Sequence, residues 1–299
     1  MPRATPPDPI GAPVDAILAW FAREGRSLPW RGRGATPWGI LVSEVMLQQT
    51  PVSRVLPAWT AWMERWPTPG ALAGEPQAEA VRAWGRLGYP RRAQRLWECA
   101  AQIEARFGGR VPSDEATLRE LPGVGEYTAA AVAAFAFGRR TVVLDTNVRR
   151  VLARVVSGTA VPAPHLTGAE RALAASVVPQ DPAMSATWNV AAMELGALVC
   201  TSRAPRCDGC PASGSCRWLA LGMPVSTTPR RAAPSWAGSD RQVRGRVLAL
   251  LRAASSPVNV SGSAALEDVE PGQLDRCIDG LVGDGLIRYA SQGRGTFVL

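Results

Sequence analysis

Apolar residues recur every three or four positions through roughly the first 225 residues, and strictly alternating runs are few, so this part of the chain reads as a succession of helices. Ile17, Trp20 and Phe21 form one stripe, Ile40, Leu41, Val45 and Leu47 another, and Val148, Val151, Leu152 and Val155 a third. Segments containing Pro and Gly separate them. From about Gly222 to Ser239, Pro, Ser, Thr, Arg and Gly dominate, which is a linker composition. Beyond it Val243, Val247, Leu250 and Leu251 mark one helix, and Leu274, Cys277, Ile278, Leu281 and Val282 share a face of another. Leu286–Tyr289 and Thr296–Leu299 then read as two short strands around Ser291-Gln292-Gly293-Arg294-Gly295. The pattern predicts a mainly α chain with a helical region over 1–225, a linker over 226–239 and a small winged-helix-like α+β domain over 240–299. Such modules bind DNA in some proteins and serve as protein contacts or plain structure in others.

A chain of 299 residues with 46% hydrophobic residues can bury two or three cores, which predicts a globular, multi-domain protein. The longest apolar stretch, Tyr127 to Phe137, is too short to span a bilayer, and Met1 to Pro13 is Pro-rich without a long apolar core. A cytoplasmic location without membrane attachment is the expectation, and a reducing compartment argues against disulfides. The net charge of +8 and pI near 9.9 point to a polyanionic partner. Every cation is arginine, and no lysine occurs anywhere. Guanidinium groups bind phosphate bidentately and stay protonated, but they cannot form a Schiff base with an aldehyde.

Four cysteines, Cys200, Cys207, Cys210 and Cys216, are separated by six, two and five residues, a spacing that suits one compact metal-binding loop. Tetrahedral zinc and an iron-sulfur cluster both use four thiolates. A zinc ribbon brings two CxxC knuckles and only Cys207 and Cys210 form one here, which favours the cluster without deciding the matter. Leu121-Pro122-Gly123-Val124-Gly125 precedes an Ala-rich helix, and its glycines allow a tight turn that exposes N–H groups to a phosphate; an ordinary inter-helix turn has the same look. Asp145 ends the run Val142-Val143-Leu144 just before the third stripe, where it fits an N-cap with a lowered pKa, and a carboxylate held ionised suits a sugar cation. Glu44 is flanked by Ile40, Leu41, Val45 and Leu47, and burial there would raise its carboxyl toward the range of a general acid, although most glutamates on helices are solvated.

Leu28-Pro29-Trp30-Arg31, Ser43-Glu44-Val45-Met46-Leu47-Gln48-Gln49-Thr50, Leu87-Gly88-Tyr89, Leu121-Pro122-Gly123-Val124-Gly125, Asp145-Thr146-Asn147-Val148 and the four cysteines together resemble the adenine DNA glycosylase family of the MutY type, within the helix-hairpin-helix glycosylase superfamily. The resemblance runs from about Trp20 to Trp218. It implies a two-lobed helix-hairpin-helix fold, with a six-helix lobe over about 31–140 and a cluster lobe from 14–30 plus 141–225, and one [4Fe-4S] cluster on Cys200, Cys207, Cys210 and Cys216. It implies a monomer that acts on double-stranded DNA, flipping out and excising adenine paired with 8-oxoguanine or guanine. By the family pattern Glu44 protonates adenine N7 and can later activate water, and Asp145 stabilises the oxocarbenium ion with Tyr127 and Asn147 in support. Trp30 and Arg31 help form the adenine pocket, Gln48 and Tyr89 intrude into the duplex, and Gly123, Val124 and Gly125 meet its backbone. Arg203 and Arg206, between the first two cysteines, are placed to meet phosphates, and Arg91, Arg92, Arg139, Arg140, Arg149 and Arg150 would extend that contact. Tyr127 occupies the place where bifunctional relatives carry a Schiff-base lysine, which implies a monofunctional enzyme.

Two departures stand out. The family ordinarily ends in a larger Nudix-like domain that reads the damaged guanine with an FSH-type segment, whereas about sixty residues follow the linker here and the sole histidine, His165, lies earlier. Pro90 replaces the second tyrosine usual after Leu-Gly-Tyr. Recognition of 8-oxoguanine then rests on the catalytic part or on the small C-terminal module. A thymine-mismatch glycosylase would share the hairpin, Tyr127, Asp145 and the cysteines, with Gln48-Gln49 arguing for the adenine branch; a non-enzymatic redox regulator would leave Glu44 and Asp145 without a purpose.

Overall fold

The computed structural model describes residues 12–225, 236–290 and 295–299, so the Pro-rich start, most of the linker and residues 291–294 between the two expected strands lie outside the described residues. The molecule is mainly helical. Its helices are α1 (Val14–Glu24), α2 (Pro37–Leu47), α3 (Val52–Arg65), α4 (Pro69–Ala73), α5 (Gln77–Ala83), α6 (Arg91–Phe107), α7 (Glu115–Arg119), α8 (Glu126–Phe137), α9 (Thr146–Leu152), α10 (Gly168–Val177), α11 (Pro182–Leu198), α12 (Arg217–Ala220), α13 (Asp240–Ala253) and α14 (Pro271–Gly283). Two compact units result, one from Met1–Ile40, Ser113–Ala116 and Gly125–Arg230, the other from Leu41–Pro112, Thr117–Val124 and Arg231–Leu299.

The first unit is organised round α1, α9 and α11, whose Ile17, Trp20, Val148, Val151, Leu152, Trp188, Ala191, Ala192 and Leu195 share one core. The stripes expected on α1 and α9 are the buried faces, with Phe21 at the margin. Helix starts are chemically marked: Asp181 accepts from Met184 N at the head of α11, and Thr167 and Glu170 form a reciprocal capping box on α10. α8 has no stripe, because Thr128 to Ala134 are all buried; short side chains let it be enclosed on every side. It ends on Gly138 in the left-handed conformation.

The second unit is anchored by tryptophans. Trp62 meets Trp66 and Trp84 edge-on, with ring centroids 4.8 and 5.5 Å apart, and α6 buries Leu96, Cys99, Ala100 and Ile103. Residues 40–46 of α2 are buried without a break, so the stripe read from the sequence is only part of its buried surface, and Leu47 is the half-exposed member.

Residues 240–299 form the expected helices and ribbon: α13, strand β1 (Val258–Asn259), α14, β2 (Arg288–Tyr289) and β3 (Thr296–Val298), in an antiparallel sheet of order β1-β3-β2. Val258 and Tyr289 flank Phe297 from opposite sides. β1 escapes sequence reading because two residues are too few to show alternation. On α13, Leu248 is buried and Leu250 only half-buried, the reverse of the expectation. Among the described residues no helix is long and apolar enough to cross a membrane.

Candidate active site

In the first unit Asp145 caps α9. Its Oδ1 accepts from the backbone N–H groups of Asn147 at 2.9 Å and Val148 at 2.7 Å, and its Oδ2 from Asn147 Nδ2 at 2.6 Å. The cap is as expected, but the expected lowering of its pKa is not. Burial raises the Asp145 carboxyl above the usual range, and the hydrogen bonds from Val148 and Asn147 with the charge of Arg150 only partly offset it. Desolvation outweighs capping at this partly buried carboxylate.

Asn147 is held in turn. Arg150 Nη2 donates to Asn147 Oδ1 at 2.8 Å and to Gly196 O at 2.6 Å, while its Nε donates to Cys200 O at 2.7 Å. A continuous chain of polar contacts therefore runs from Asp145 through Asn147 and Arg150 to the first cysteine of the loop. Gly196 lets α11 come this close, since a Cβ there would lie 2.6 Å from Asn147 Cβ and 2.9 Å from its carbonyl oxygen. Tyr127 is half-buried, its hydroxyl 4.0 Å from Met193 Sδ.

On α11, Glu194 is a residue that sequence reasoning missed. It accepts from Arg26 Nε at 2.6 Å and Nη2 at 2.9 Å and from Arg31 Nη2 at 3.0 Å. Burial pushes its carboxyl up, yet the hydrogen bond from Arg26 and the charge of Arg31 overcome this and hold it at about 2. The available signal was a lone acid in the apolar run Ala191-Ala192-Met193-Glu194-Leu195. Trp30 is buried in the turn Pro29–Arg31, and Arg31 Nη1 is buried without a hydrogen-bond partner among the described residues, an orphan donor that a polar ligand edge would satisfy.

Cys200, Cys207, Cys210 and Cys216 line one pocket together with Arg154, Arg206 and Trp218. Among the described residues no three His, Cys, Asp or Glu side chains converge on a single ion. Burial pushes the Cys210 thiol up to about 11, and neighbouring cysteines add to the effect, as they do at Cys207. Arg154 was also missed. It lies in the π-helical turn Ala153–Ser157 after α9, is buried, donates to Cys200 Sγ at 3.4 Å and Thr201 O at 2.8 Å, and stacks over the Trp218 ring at 4.7 Å. Four soft donors and a buried cation suit a negatively charged thiolate-metal centre. Arg203 and Arg206 are exposed in the loop ahead of Cys207.

The second unit carries Glu44, Gln48, Tyr89, Gly123 and Val124, and the first carries Gly125 together with Trp30, Arg31, Tyr127, Asp145, Asn147, Arg203, Arg206 and the four cysteines. Glu44 is buried on α2, 4% exposed. Gln49 and Tyr89 adopt left-handed backbone conformations, φ +56° and +47°, beside or at the two residues expected to intrude into a duplex. Tyr89 is half-exposed, Gln48 partly buried. Gly123, φ +78°, is required, since a Cβ would meet Arg95 Cβ at 2.8 Å; Gly125 is extended, with open space where its side chain would be. Several paired arginines expected to face DNA have partners within the protein: Arg92 caps backbone carbonyls, Arg149 pairs with Glu170, the exposed Arg140 donates to the carbonyls of Val178 and Pro179, and Arg150 holds Asn147. Doubled arginines on a sequence do not reveal these distant acceptors.

Residues 42–174 match the HhH-GPD superfamily of base excision DNA repair proteins. The chain is 50% identical to the adenine DNA glycosylase of Mycolicibacterium smegmatis over 95% of its own length and 94% of that protein's, a span that takes in most of residues 240–299. It is 44% identical to the human adenine DNA glycosylase over 68% of its length and 38% of that protein's. Among solved structures, a thermostable thymine-DNA glycosylase superposes with a TM-score of 0.62 at 28% identity, covering 70% of this chain and 95% of that one.

Proposed function

Since the chain belongs to the adenine DNA glycosylases of the HhH-GPD superfamily, hydrolases of base excision repair, we propose that it excises adenine opposite 8-oxoguanine or guanine in duplex DNA and stops at the abasic site. The observation that carries this reading is the partly buried, network-held carboxylate of Asp145. An anion in a low-dielectric site is worth most when a positive charge develops beside it, and a sugar losing its base becomes such a charge.

In this reading Trp30, Arg31 and Glu194 receive the extruded adenine. Glu44 gives its proton to adenine N7, the C1′–N9 bond breaks with its electron pair moving onto the base, and neutral adenine leaves. The oxocarbenium sugar is stabilised by Asp145, which Asn147 and Arg150 hold in place, with Tyr127 at its side. Water then adds to C1′ and returns a proton to Glu44, which restores the acid. With arginine as the only cationic side chain besides His165, no lysine amine is available to attack C1′ and cleave the strand. Gln48 and Tyr89 enter the duplex at the opposite base, and Gly123, Val124, Gly125, Arg203 and Arg206 meet phosphates.

The four cysteines fit one [4Fe-4S] cluster, with Arg154 balancing its charge. Such a cluster, when bound, ties Cys200 to Cys216 into one rigid loop. The decisive measurement is single-turnover cleavage, revealed by alkali, of duplexes with A opposite 8-oxoguanine, G, C and T, and with T opposite G. Excision confined to A, abolished by Glu44→Gln and by Asp145→Asn, is the expected result; thymine release, or undiminished activity in either variant, would refute it.

A further inference from the structure

Residues 240–299 do not stand apart from the helices of their unit. Arg82, in the last turn of α5, sends Nη1 to the carbonyls of Leu251, Arg252 and Ala254 at the end of α13, the last of these at 3.0 Å. Arg252, in the last turn of α13, returns Nε to Val81 O near the end of α5 at 3.0 Å. Each helix thus has C-terminal carbonyls, which lack partners within the helix, capped by the other's guanidinium. On α6, Gln94 Nε2 donates to Gly285 O at 2.7 Å, in the turn that ends α14, and Arg91 pairs with Asp284 at 3.4 Å. Gln94 is itself buried.

These grips fall on the two helices that flank a single loop, residues 84–90, and Tyr89 sits in that loop. The loop is strained at Tyr89, which has positive φ without being a glycine, whereas Gly85 and Gly88 adopt positive φ freely. A strained residue persists only where its surroundings over-determine it. From inside, Trp84 Nε1 and Arg92 Nη2 both donate to Gly88 O. From outside, the C-terminal module fixes both stems. The module is poorly suited to reading DNA through α14, whose exposed positions include Asp275 and Asp279 with Arg276 between them, because carboxylates there oppose phosphates.

We propose that the C-terminal module is a clasp for the opposite-base reader, with Arg82 and Gln94 as positioning residues that hold Tyr89 in its reading conformation. The proposal rests on the assignment of Tyr89 to the opposite base. The module in this way presets the loop that carries Tyr89 to the opposite base.

The test uses the full chain carrying Arg82→Met or Gln94→Leu, each alone and combined with Tyr89→Ala. The readout is the ratio of single-turnover excision rates for adenine opposite 8-oxoguanine and opposite cytosine, below the melting temperature of every variant. Either clasp variant is expected to lower that ratio about tenfold, and to lower it no further once Tyr89 is alanine, since residues acting through one another are not additive. An unchanged ratio in a folded clasp variant, or an equal further loss in the Tyr89→Ala background, overturns the proposal. Should Arg82→Met fail to fold, Gln94→Leu, which deletes one bond, decides by the same criterion. Wild-type protein that releases no adenine would instead sink the functional reading, and an unaffected ratio in Tyr89→Ala would remove the role of Tyr89 on which the clasp depends.

Discussion

Glu194 is buried and Asp145 partly so, yet their acidities move in opposite directions, and the difference is a matter of partners. Glu194 has two guanidiniums on it and is held at about 2, so its ion pairs stabilise the fold fully above about pH 4.5, and that stabilisation is lost as pH falls toward 2. A shift of this size corresponds to about 3 kcal/mol. Glu194→Gln should therefore lower the melting temperature at pH 7 but approach wild type below pH 3, as thermal scans by circular dichroism will read. Asp145 has amides on it and Arg150 only at one remove, so burial wins and its carboxyl lies above the usual range. Because the proposed chemistry needs the anion, the second-order rate of the free enzyme should fall on the acid side of a pKa above the usual 3.8, and a rate flat down to pH 4 would contradict the assignment. Gly196→Ala tests the scaffold beneath: its Cβ would push into Asn147, and we expect at least a roughly 100-fold slower excision, the scale seen when one preorganised donor is lost, in a protein that still folds.

At the scale of elements, α2 and the loop after α5 are joined by one side chain. Arg92 Nη1 donates to the carbonyls of Val45, Met46 and Gln48 at the end of α2, and its Nη2 to Thr50 Oγ1 and Gly88 O, while the guanidinium lies over the rings of Trp84 and Tyr89 at 5.1 and 5.5 Å. It therefore ties the segment carrying Gln48 to the segment carrying Tyr89. Burial lowers its pKa to about 10, which still leaves it charged at neutral pH. Lysine has three donors on a flexible stem and no plane to lay between two rings. Arg92→Lys is expected to destabilise the protein by about 2 kcal/mol and to blunt discrimination between opposite bases, measured by denaturant melts and by the same rate ratio. The helices that sequence patterning found, α1, α9, α13 and α14, each bury one stripe. Patterning says less about α2 and α8, which are buried nearly all round and have no preferred face to betray. The burial of Glu44 and the cap at Asp145 were legible because a charged residue in or just after an apolar run is conspicuous, and Glu194 gives the same signal from its own apolar run. The partners of Glu194, and the roles of Arg92, Arg150 and Arg154, were not legible, because the groups they meet lie far along the chain, 50 residues for Arg150 and Cys200 and 168 for Arg26 and Glu194.

For the molecule as a whole, the absence of lysine turns a compositional fact into a mechanistic one. The 33 basic side chains counted as Lys and Arg are all arginine, and guanidinium does not condense with the aldehyde of an abasic sugar. Where a relative with a lysine amine beside C1′ would form an imine and expel the 3′ phosphate by β-elimination, this chain offers Tyr127, whose phenol forms no imine. The only primary amine left is the chain's own α-amino group. Treatment of the enzyme and an adenine-mismatch duplex with borohydride should therefore trap no stoichiometric adduct, although abasic product accumulates and alkali then cleaves it. Tyr127→Lys supplies the sharper comparison, since it places an amine where wild type has a hydroxyl. If an amine at that position is all that separates the two reactions, the variant should form a borohydride-trappable complex with abasic DNA and nick it without alkali. An inert variant would mean that the surroundings of residue 127, Met193 among them, exclude imine chemistry independently of which side chain stands there.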